Sequence, residues 1–203
     1  LATVVSDVVS VDLASRRERT LASVRSYFVH VCGARKGWVT LYKVERGGAS
    51  IVEVPEQGGA PVKRGDLPHG PFARDFSVVG KTLTYSTLTD PEKHLYGVFT
   101  LDLETGVQTE QAQSAWPYPA PLATQAGAVW TQPGGLYRLG GREPLLALPT
   151  LVEGATTDLE TLGVRKLEST GAQTLWLSQR GGSLQRVPTQ PVWEVLGFGE
   201  VVR

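Results

Sequence analysis

The stretch that decides the fold is Tyr96-Gly-Val-Phe-Thr-Leu-Asp-Leu-Glu-Thr-Gly-Val-Gln-Thr109. Between Val98 and Leu103, every second residue is Phe or Leu, which is typical of a β-strand with one more deeply buried face. The Glu-Thr-Gly that follows predicts a tight turn before a polar strand. Working outward from this stretch, the pattern predicts four strands, at residues 76–79, 81–87, 96–103 and 107–111.

The same unit recurs along the chain at a nearly constant interval of about 45 residues. One series is an aromatic residue inside an apolar run that ends in a turn, at Tyr42, Tyr85, Trp130 and Trp176. A second series of apolar runs follows it, centred on Val11, Val54, Leu101, Leu139 and Val187. The two series indicate five copies, of which the first lacks a complete first half.

A four-stranded unit of this length cannot bury both of its faces alone, so neighbouring units must cover one another. The repeat therefore predicts an all-β fold, a β-propeller of about five four-stranded blades. We expect one propeller domain over residues 1–203, with approximate units 1–23, 24–70, 71–115, 116–160 and 161–203. The best helical candidate is short, at residues 156–165.

The two ends of the chain leave two arrangements open. In the first, residues 200–202 pair with the N-terminal strand and close the ring, which removes open sheet edges. In the alternative, the chain is a fragment of a propeller with six to eight blades.

Residues 96–109 and 8–20 share the pattern of an apolar run, Asp, Leu, small or polar residues, a turn and a polar strand. In this pattern they resemble blades of the TolB-like propeller superfamily, which are also found beside hydrolase domains in prolyl-oligopeptidase-type enzymes. The resemblance implies the propeller fold and a scaffolding or binding role. Because TolB-like relatives are often found outside the cytoplasm, it also implies a periplasmic or secreted location, although the single Cys32 is compatible with the cytoplasm as well.

The charge balance limits the class of partner. The chain has 20 Lys and Arg against 20 Asp and Glu, which argues against nucleic acid or an anionic membrane surface as the main partner. No apolar stretch approaches the roughly 20 residues of a membrane-spanning helix, so no membrane span is expected. We expect a protein partner, with a glycan or another small ligand as the alternative.

Motifs for catalysis and cofactor binding are missing from the sequence. There is no Gly-x-Ser-x-Gly nucleophile motif, and residues 197–200 lack the third glycine of a dinucleotide-binding loop. The three histidines, His30, His69 and His94, are far apart and show no metal-ligand spacing. We therefore assign no catalytic residue, no metal site and no cofactor.

One enzymatic alternative remains, a hydrolase with a pair of carboxylates at the channel mouth. The candidate acids are Asp75, Asp102 and Asp158. Asp102, however, occupies the same repeat position as Asp12, which favours a structural role at the turn.

The candidate binding residues lie in predicted loops. Trp116 and Tyr118 belong to the proline-rich segment 115–121, and prolines disfavour strand pairing, so we expect these rings to project and bind a partner or sugar. The alternative for Trp116 is burial between adjacent blades. His69 and His94 lie in turns and are further candidates, because loops carry binding residues. Trp130 and Trp176, which share a repeat position, are expected in the core.

Overall fold

The computed structural model describes residues 2–117, 119–124, 127–147, 151–155, 161–167, 173–179 and 185–188. Over these ranges the chain forms β-strands joined by turns, and its one helical element is a short 3-10 turn at Gly70–Phe72. None of the described residues belongs to a helix that is long and apolar enough to cross a membrane. The predicted all-β fold class is confirmed.

The strands form five antiparallel sheets within the described ranges. Sheet I is the hairpin of β1 (Val4–Val11) and β2 (Glu18–Ser26). Sheet II contains β3 (Phe28–Arg35), β4 (Trp38–Glu45), β5 (Gly48–Pro55) and β6 (Val62–Leu67). Sheet III contains β7 (Arg74–Val79), β8 (Thr82–Asp90), β9 (Leu95–Asp102) and β10 (Gln108–Ser114).

Sheets IV and V repeat the four-stranded pattern. Sheet IV contains β11 (Leu122–Thr124), β12 (Gly127–Gln132), β13 (Gly135–Arg138) and β14 (Pro144–Ala147). Sheet V contains β15 (Leu151–Ala155), β16 (Thr161–Leu167), β17 (Gln173–Gln179) and β18 (Gln185–Arg186). In sheets II to V the strands are hydrogen-bonded in chain order, so each of these sheets is an up-and-down meander.

Two local predictions in the last third of the chain are wrong. Residues 161–165 lie in strand β16 and not in a helix, because they pair with β17 along their length. Trp130 is buried on the second strand of sheet IV, whereas Trp176 is half-buried on the third strand of sheet V. The two tryptophans do not share a strand position. Two strands of sheet V, β15 and β16, come before the strand with Trp176, whereas only β11 comes before the strand with Trp130.

Consecutive sheets pack face to face. The first strand of sheet II, β3, packs on β7 of sheet III, and β7 packs on β11 of sheet IV. In sheets II and III, the turn between the second and third strands lies at the same end as the link to the next sheet. We call this end the linker face, and the end that carries the other two turns of each sheet the opposite face.

Aromatic rings fill the interface between sheets II and III. Successive ring centroids are 6.1 Å apart for Phe28 and Tyr42, 4.9 Å for Tyr42 and Phe76, 6.0 Å for Phe76 and Tyr85, and 5.3 Å for Tyr85 and Phe99. The rings come from both sheets, and aliphatic residues of both sheets pack around them. Rings at these separations add to the stabilisation from burial alone.

On the other side of sheet III, strand β8 carries polar residues that are equally buried. On β8, Leu83 and Tyr85 belong to the core shared with sheet II. Thr84 and Ser86 alternate with them and therefore face sheet IV, and both are fully buried. A hydrogen bond of 3.0 Å from the Ala123 amide to Ser77 Oγ joins β11 to β7. Sheet III thus contacts its two neighbours through different chemistry.

The two tyrosines of the ring stack differ in one respect that mutation can test. Tyr42 donates its hydroxyl hydrogen to the Gly70 carbonyl, whereas the Tyr85 hydroxyl has no partner among the described residues. We expect Tyr42→Phe to lower the free energy of unfolding by about 1 kcal/mol and Tyr85→Phe to leave it unchanged or raise it. Urea denaturation of both variants measures this difference. Equal losses would show that the Tyr85 hydroxyl is also bonded.

Candidate functional site

The linker face brings together the described candidate residues of three separate segments. His69 lies in the link between sheets II and III, His94 in the β8–β9 turn, and Trp116 in the link between sheets III and IV. Tyr118 lies outside the described residues. The sequence placed these residues in loops, and the meander topology explains why the loops share one face.

His69 and His94 are both exposed and both have a left-handed backbone, with φ of 58° and 51°. A non-glycine residue in this region is uncommon and is kept there by its surroundings. At His69 the surroundings are visible, because its carbonyl accepts a hydrogen bond of 2.8 Å from Thr87 Oγ1 of sheet III. The link between the two sheets is therefore tied to β8 beside the His69 side chain.

Arg74 organises the next part of the linker face. Its guanidinium lies 5.0 Å from the centre of the Tyr96 ring, and it donates a hydrogen bond to the Pro117 carbonyl. Its Nε is 3.6 Å from Asp75 Oδ2. Trp116, half-buried, is adjacent to Pro117, and its amide donates to Ser114 Oγ at 2.9 Å. We call Arg74, Asp75, Tyr96, Trp116 and Pro117 the Arg74 cluster.

Sequence reasoning identified Trp116 but missed Arg74 and Tyr96. The two residues are 22 positions apart and meet only because β7 and β9 belong to one sheet. A usable signal was nevertheless present, since Arg74 and Asp75 are adjacent charges at the start of a first strand, next to a link. Such a position exposes charged groups beside the loops that bind partners.

Asp75 is the second residue of β7 and has a left-handed backbone with φ of 55°. Its Oδ2 accepts a hydrogen bond of 2.6 Å from Ser86 Oγ. The pairing of β7 with β8 shifts register between Arg74 and Ser77, which makes Asp75 part of an irregular segment. The conformation holds the carboxylate against Ser86 at the rim of the linker face.

The carboxylate pair required by the hydrolase alternative is not formed by Asp75 and Asp102. Ser86, the partner of Asp75, lies opposite Val98 in the β8–β9 register, and Asp102 is four residues further along β9. Four strand residues span about 13 Å, so the two acids lie at opposite ends of sheet III. Glycosidase carboxylates lie about 5 to 10 Å apart. The third candidate, Asp158, lies outside the described residues.

Asp102 and Asp12 have the structural role that their shared repeat position favoured. Asp102 Oδ1 accepts hydrogen bonds from the amides of Glu104 and Thr105, both at 2.9 Å. The Thr105 bond and Lys81 contribute to lowering the pKa of Asp102 to about 2. Asp12 Oδ1 accepts from the amide of Ser15 at 2.6 Å, and this bond lowers its pKa. Each aspartate stabilises the turn that follows its strand, β1 for Asp12 and β9 for Asp102.

A buried carboxylate lies near the opposite face, between sheets II and III. The Glu53 side chain is fully buried and accepts hydrogen bonds from Arg35 Nε at 2.7 Å and Arg35 Nη2 at 2.8 Å. Arg64 Nε donates to Glu53 Oε2 at 2.7 Å, the oxygen that also accepts from Arg35 Nη2, and the Arg64 guanidinium lies 4.9 Å from the Trp38 ring centre. Thr40 Oγ1 adds a bond of 3.2 Å. The sequence analysis did not identify this group.

The two arginines determine the ionisation of Glu53. Burial alone would raise the pKa of this carboxyl group, but the hydrogen bonds and positive charges of Arg35 and Arg64 outweigh burial and lower it. Arg35 also reaches Glu104 of sheet III at 3.8 Å. The hydrogen-bond partners of Glu53 all belong to sheet II, and the cluster reaches sheet III through this Arg35–Glu104 contact. Within the described ranges, no group of three or more His, Cys, Asp or Glu residues is placed to hold a metal ion.

Solved structures with the same arrangement are TolB proteins. TolB from Acinetobacter baumannii superposes with a TM-score of 0.67 and 12% identity, over 89% of this chain and 48% of that one. The fold is that of a TolB-like β-propeller. A putative TolB from Agrobacterium tumefaciens matches with a TM-score of 0.51 and 16% identity, over 74% of this chain and 60% of that one. This β-propeller chain therefore spans about half the length of the first structure and 60% of the second.

No protein-family model and no curated protein sequence matches the chain. At these identities the structural likeness applies to the fold alone. The TolB-like resemblance inferred from residues 96–109 and 8–20 is confirmed at the level of fold.

The Glu53 cluster generates a stability prediction with an internal control. Glu53→Gln removes the buried carboxylate that two partly buried arginines share, so we expect the free energy of unfolding to fall by about 3 kcal/mol. Glu104→Gln removes a carboxylate that is 59% exposed and bonded only at 3.8 and 3.9 Å, so a loss below about 1 kcal/mol is expected. Urea denaturation at neutral pH compares the two. Similar losses would contradict a special role for Glu53.

The same cluster predicts a dependence of stability on pH. Because the pKa of Glu53 is lower in the folded chain than its ordinary value of 4.5, its contribution is complete above about that pH. The contribution is lost as the pH falls through the folded-state pKa. The stability difference between wild type and Glu53→Gln should therefore shrink in acid, which denaturation at successively lower pH would show. A difference that stays constant would mean that Glu53 is not ionised when folded.

Proposed function

We propose that this chain is a non-catalytic β-propeller that acts as a protein-interaction or scaffold module in an extracytoplasmic assembly. The Arg74 cluster is the observation that carries the proposal. It combines arginine, tyrosine and tryptophan on one rim, and these residue types contribute most of the binding energy at protein interfaces. The fold supports the proposal through its TolB-like character, and the location follows from the same resemblance.

The way the cluster is held favours recognition of a folded partner or an ordered segment. Arg74 starts β7, Tyr96 is in β9 on the far side of β8 in the same sheet, and Pro117 belongs to the link toward sheet IV. Each group is therefore attached to a packed sheet or tied to one by a hydrogen bond. A site organised before binding loses less side-chain entropy when the partner docks.

A photo-crosslinking experiment tests the proposed function. A photoreactive amino acid replaces the exposed His94 on the linker face or, as the control, the exposed Lys36 in the β3–β4 turn of the opposite face. In extracts that contain the native partners, we expect one discrete protein adduct from position 94 and none from position 36. Arg74→Ala should reduce that adduct about tenfold, since charge-assisted contacts of arginine are among the stronger ones. Identical adducts from both positions, or none, would contradict the proposal.

Carbohydrate or small-ligand binding is the second candidate function, and half-buried Trp116 is the observation that favours it. An aromatic ring that keeps one side accessible can stack on a sugar. On a glycan array this function predicts saturable binding that Trp116→Ala abolishes. Such a result, together with no protein adduct from position 94, would replace the protein-interaction proposal.

We also propose that five blades form a closed ring in which residues 200–202 pair with β1. The hairpin of sheet I supports this, because the described residues leave the outer edge of β1 unpaired. Valines on this strand are unusually exposed, among them Val5 at 64% and Val4 at 49%. Apolar residues on an open strand edge favour coverage by another strand. The approximate units 1–23, 24–70, 71–115, 116–160 and 161–203 belong to this proposal.

Light scattering combined with small-angle scattering tests ring closure on the purified chain. A closed ring predicts a monomer near 21.9 kDa with a compact, disc-like scattering profile. Self-association or an elongated profile would contradict closure and favour the alternative of a propeller with six to eight blades.

A further inference from the structure

A groove separate from the Arg74 cluster lies between sheet I and sheet II at the linker face. It has a volume of about 690 Å³ and is bordered by the end of β2 and by the β4–β5 turn. This volume is within the range of sites that enclose ligands larger than a simple ion. The functional-site residues proposed above do not line it.

The groove has more positive than negative charge. Its basic lining residues are Arg25, Lys43 and Arg46, and its one acidic lining residue is Glu45. Glu45 is already paired with Lys43, at 2.9 Å. Arg25 and Arg46, both exposed, form no ion pair with any described residue. Two guanidinium groups beside one groove are suited to carboxylates, which arginine binds through parallel hydrogen bonds.

A second, independent feature of the groove is the hydroxyl group of Ser26. This residue lines the groove, is 1% exposed, and its Oγ has no hydrogen-bond partner among the described residues. Buried hydroxyl groups are normally bonded, so the unbonded Ser26 Oγ at the wall of the groove is a donor available to a ligand oxygen or to water. Val24 and Tyr27, which also line it, add apolar surface.

We propose that this groove binds an acidic peptide segment of a partner protein. The guanidinium groups of Arg25 and Arg46 would pair with side-chain carboxylates, and Ser26 Oγ would donate to one carboxylate oxygen. The volume and the apolar side chains favour a segment of several residues over a free anion. This proposal rests on the proposed function in one respect, which is that the ligand is part of a partner protein.

Fluorescence anisotropy with labelled hexaglutamate, and hexaglutamine as the neutral control, tests the proposal on the full chain. We expect saturable binding of hexaglutamate alone, weakened by salt. Arg46→Ala and Ser26→Ala should each weaken it roughly five- to tenfold. Arg17→Ala is the matched control, because Arg17 is an exposed arginine in the β1–β2 turn at the opposite face, and it should leave binding unchanged.

Ser26→Ala also separates binding from folding. Since Ser26 Oγ has no partner, its removal should leave the melting temperature unchanged or raise it while affinity falls. Absence of hexaglutamate binding, or an equal loss with Arg17→Ala, would overturn the proposal. Binding of inorganic phosphate that depends on Arg46 and Ser26, without any binding of hexaglutamate, would also overturn the proposal. Arg74→Ala should not affect hexaglutamate binding, so failure here and failure of the proposed function are distinguishable.

Discussion

The contact between sheets II and III is the interaction on which the rest of the described structure depends. A meander of four strands has two faces, and the sequence of sheet II makes both of them apolar over much of their area. On β4, Leu41 contributes to the core with sheet I, and Tyr42 contributes to the core with sheet III. Neither face can remain in water without losing the free energy of apolar burial. Each sheet can therefore bury its apolar faces only by packing against its neighbours.

Three kinds of contact occupy the interface of sheets II and III in order from one end to the other. At the opposite face, Arg64 and Arg35 bind Glu53. The β9–β10 turn of sheet III packs closely against the backbone of Arg64. Gly106 in that turn has a φ of 72°, and a Cβ there would come within 2.7 Å of the Arg64 carbonyl oxygen. The ring stack follows in the middle. At the linker face, Tyr42 and Thr87 bond to the link at Gly70 and His69. Because each contact type needs its own register, together they fix how the two sheets align.

The strands and the stacking of sheets, which depend on the periodicity of apolar residues, could be predicted from the sequence. The alternation along residues 98–103 and the interval between Tyr42 and Tyr85 were sufficient for the strands of sheets II and III and for their stacking. In sheets IV and V the strands are shorter and the same aromatic signal falls on different strands, so the repeat did not locate Trp176. Periodicity reports which residues alternate, but it does not count the strands between two aromatic runs.

The candidate sites were less accessible to sequence reasoning, for a physical reason. Arg74 and Tyr96, or Arg35, Glu53 and Arg64, interact across hydrogen-bonded strands, and their separations along the chain follow from strand lengths and turns. Loop aromatics such as Trp116 were visible because prolines surround them. Ser26 was not visible, since an unbonded hydroxyl can be recognised only when its neighbours are known.

Left-handed backbone at non-glycine residues is concentrated at the linker face, although Arg16 in the β1–β2 turn also has it. His69, Asp75 and His94 all have left-handed backbones there, and such conformations cost free energy unless the surroundings support them. At His69 the support is the bond from Thr87, and at Asp75 it is the bond from Ser86. The buried hydroxyl groups of Ser86 and Thr87 on β8 therefore support the backbone of the linker face. The same strand also provides the apolar core with sheet II, through Leu83 and Tyr85. The backbone at His69 and Asp75 is thus held by the same strand that joins the sheets, so changes in the core of sheet III should reach the linker face through β8.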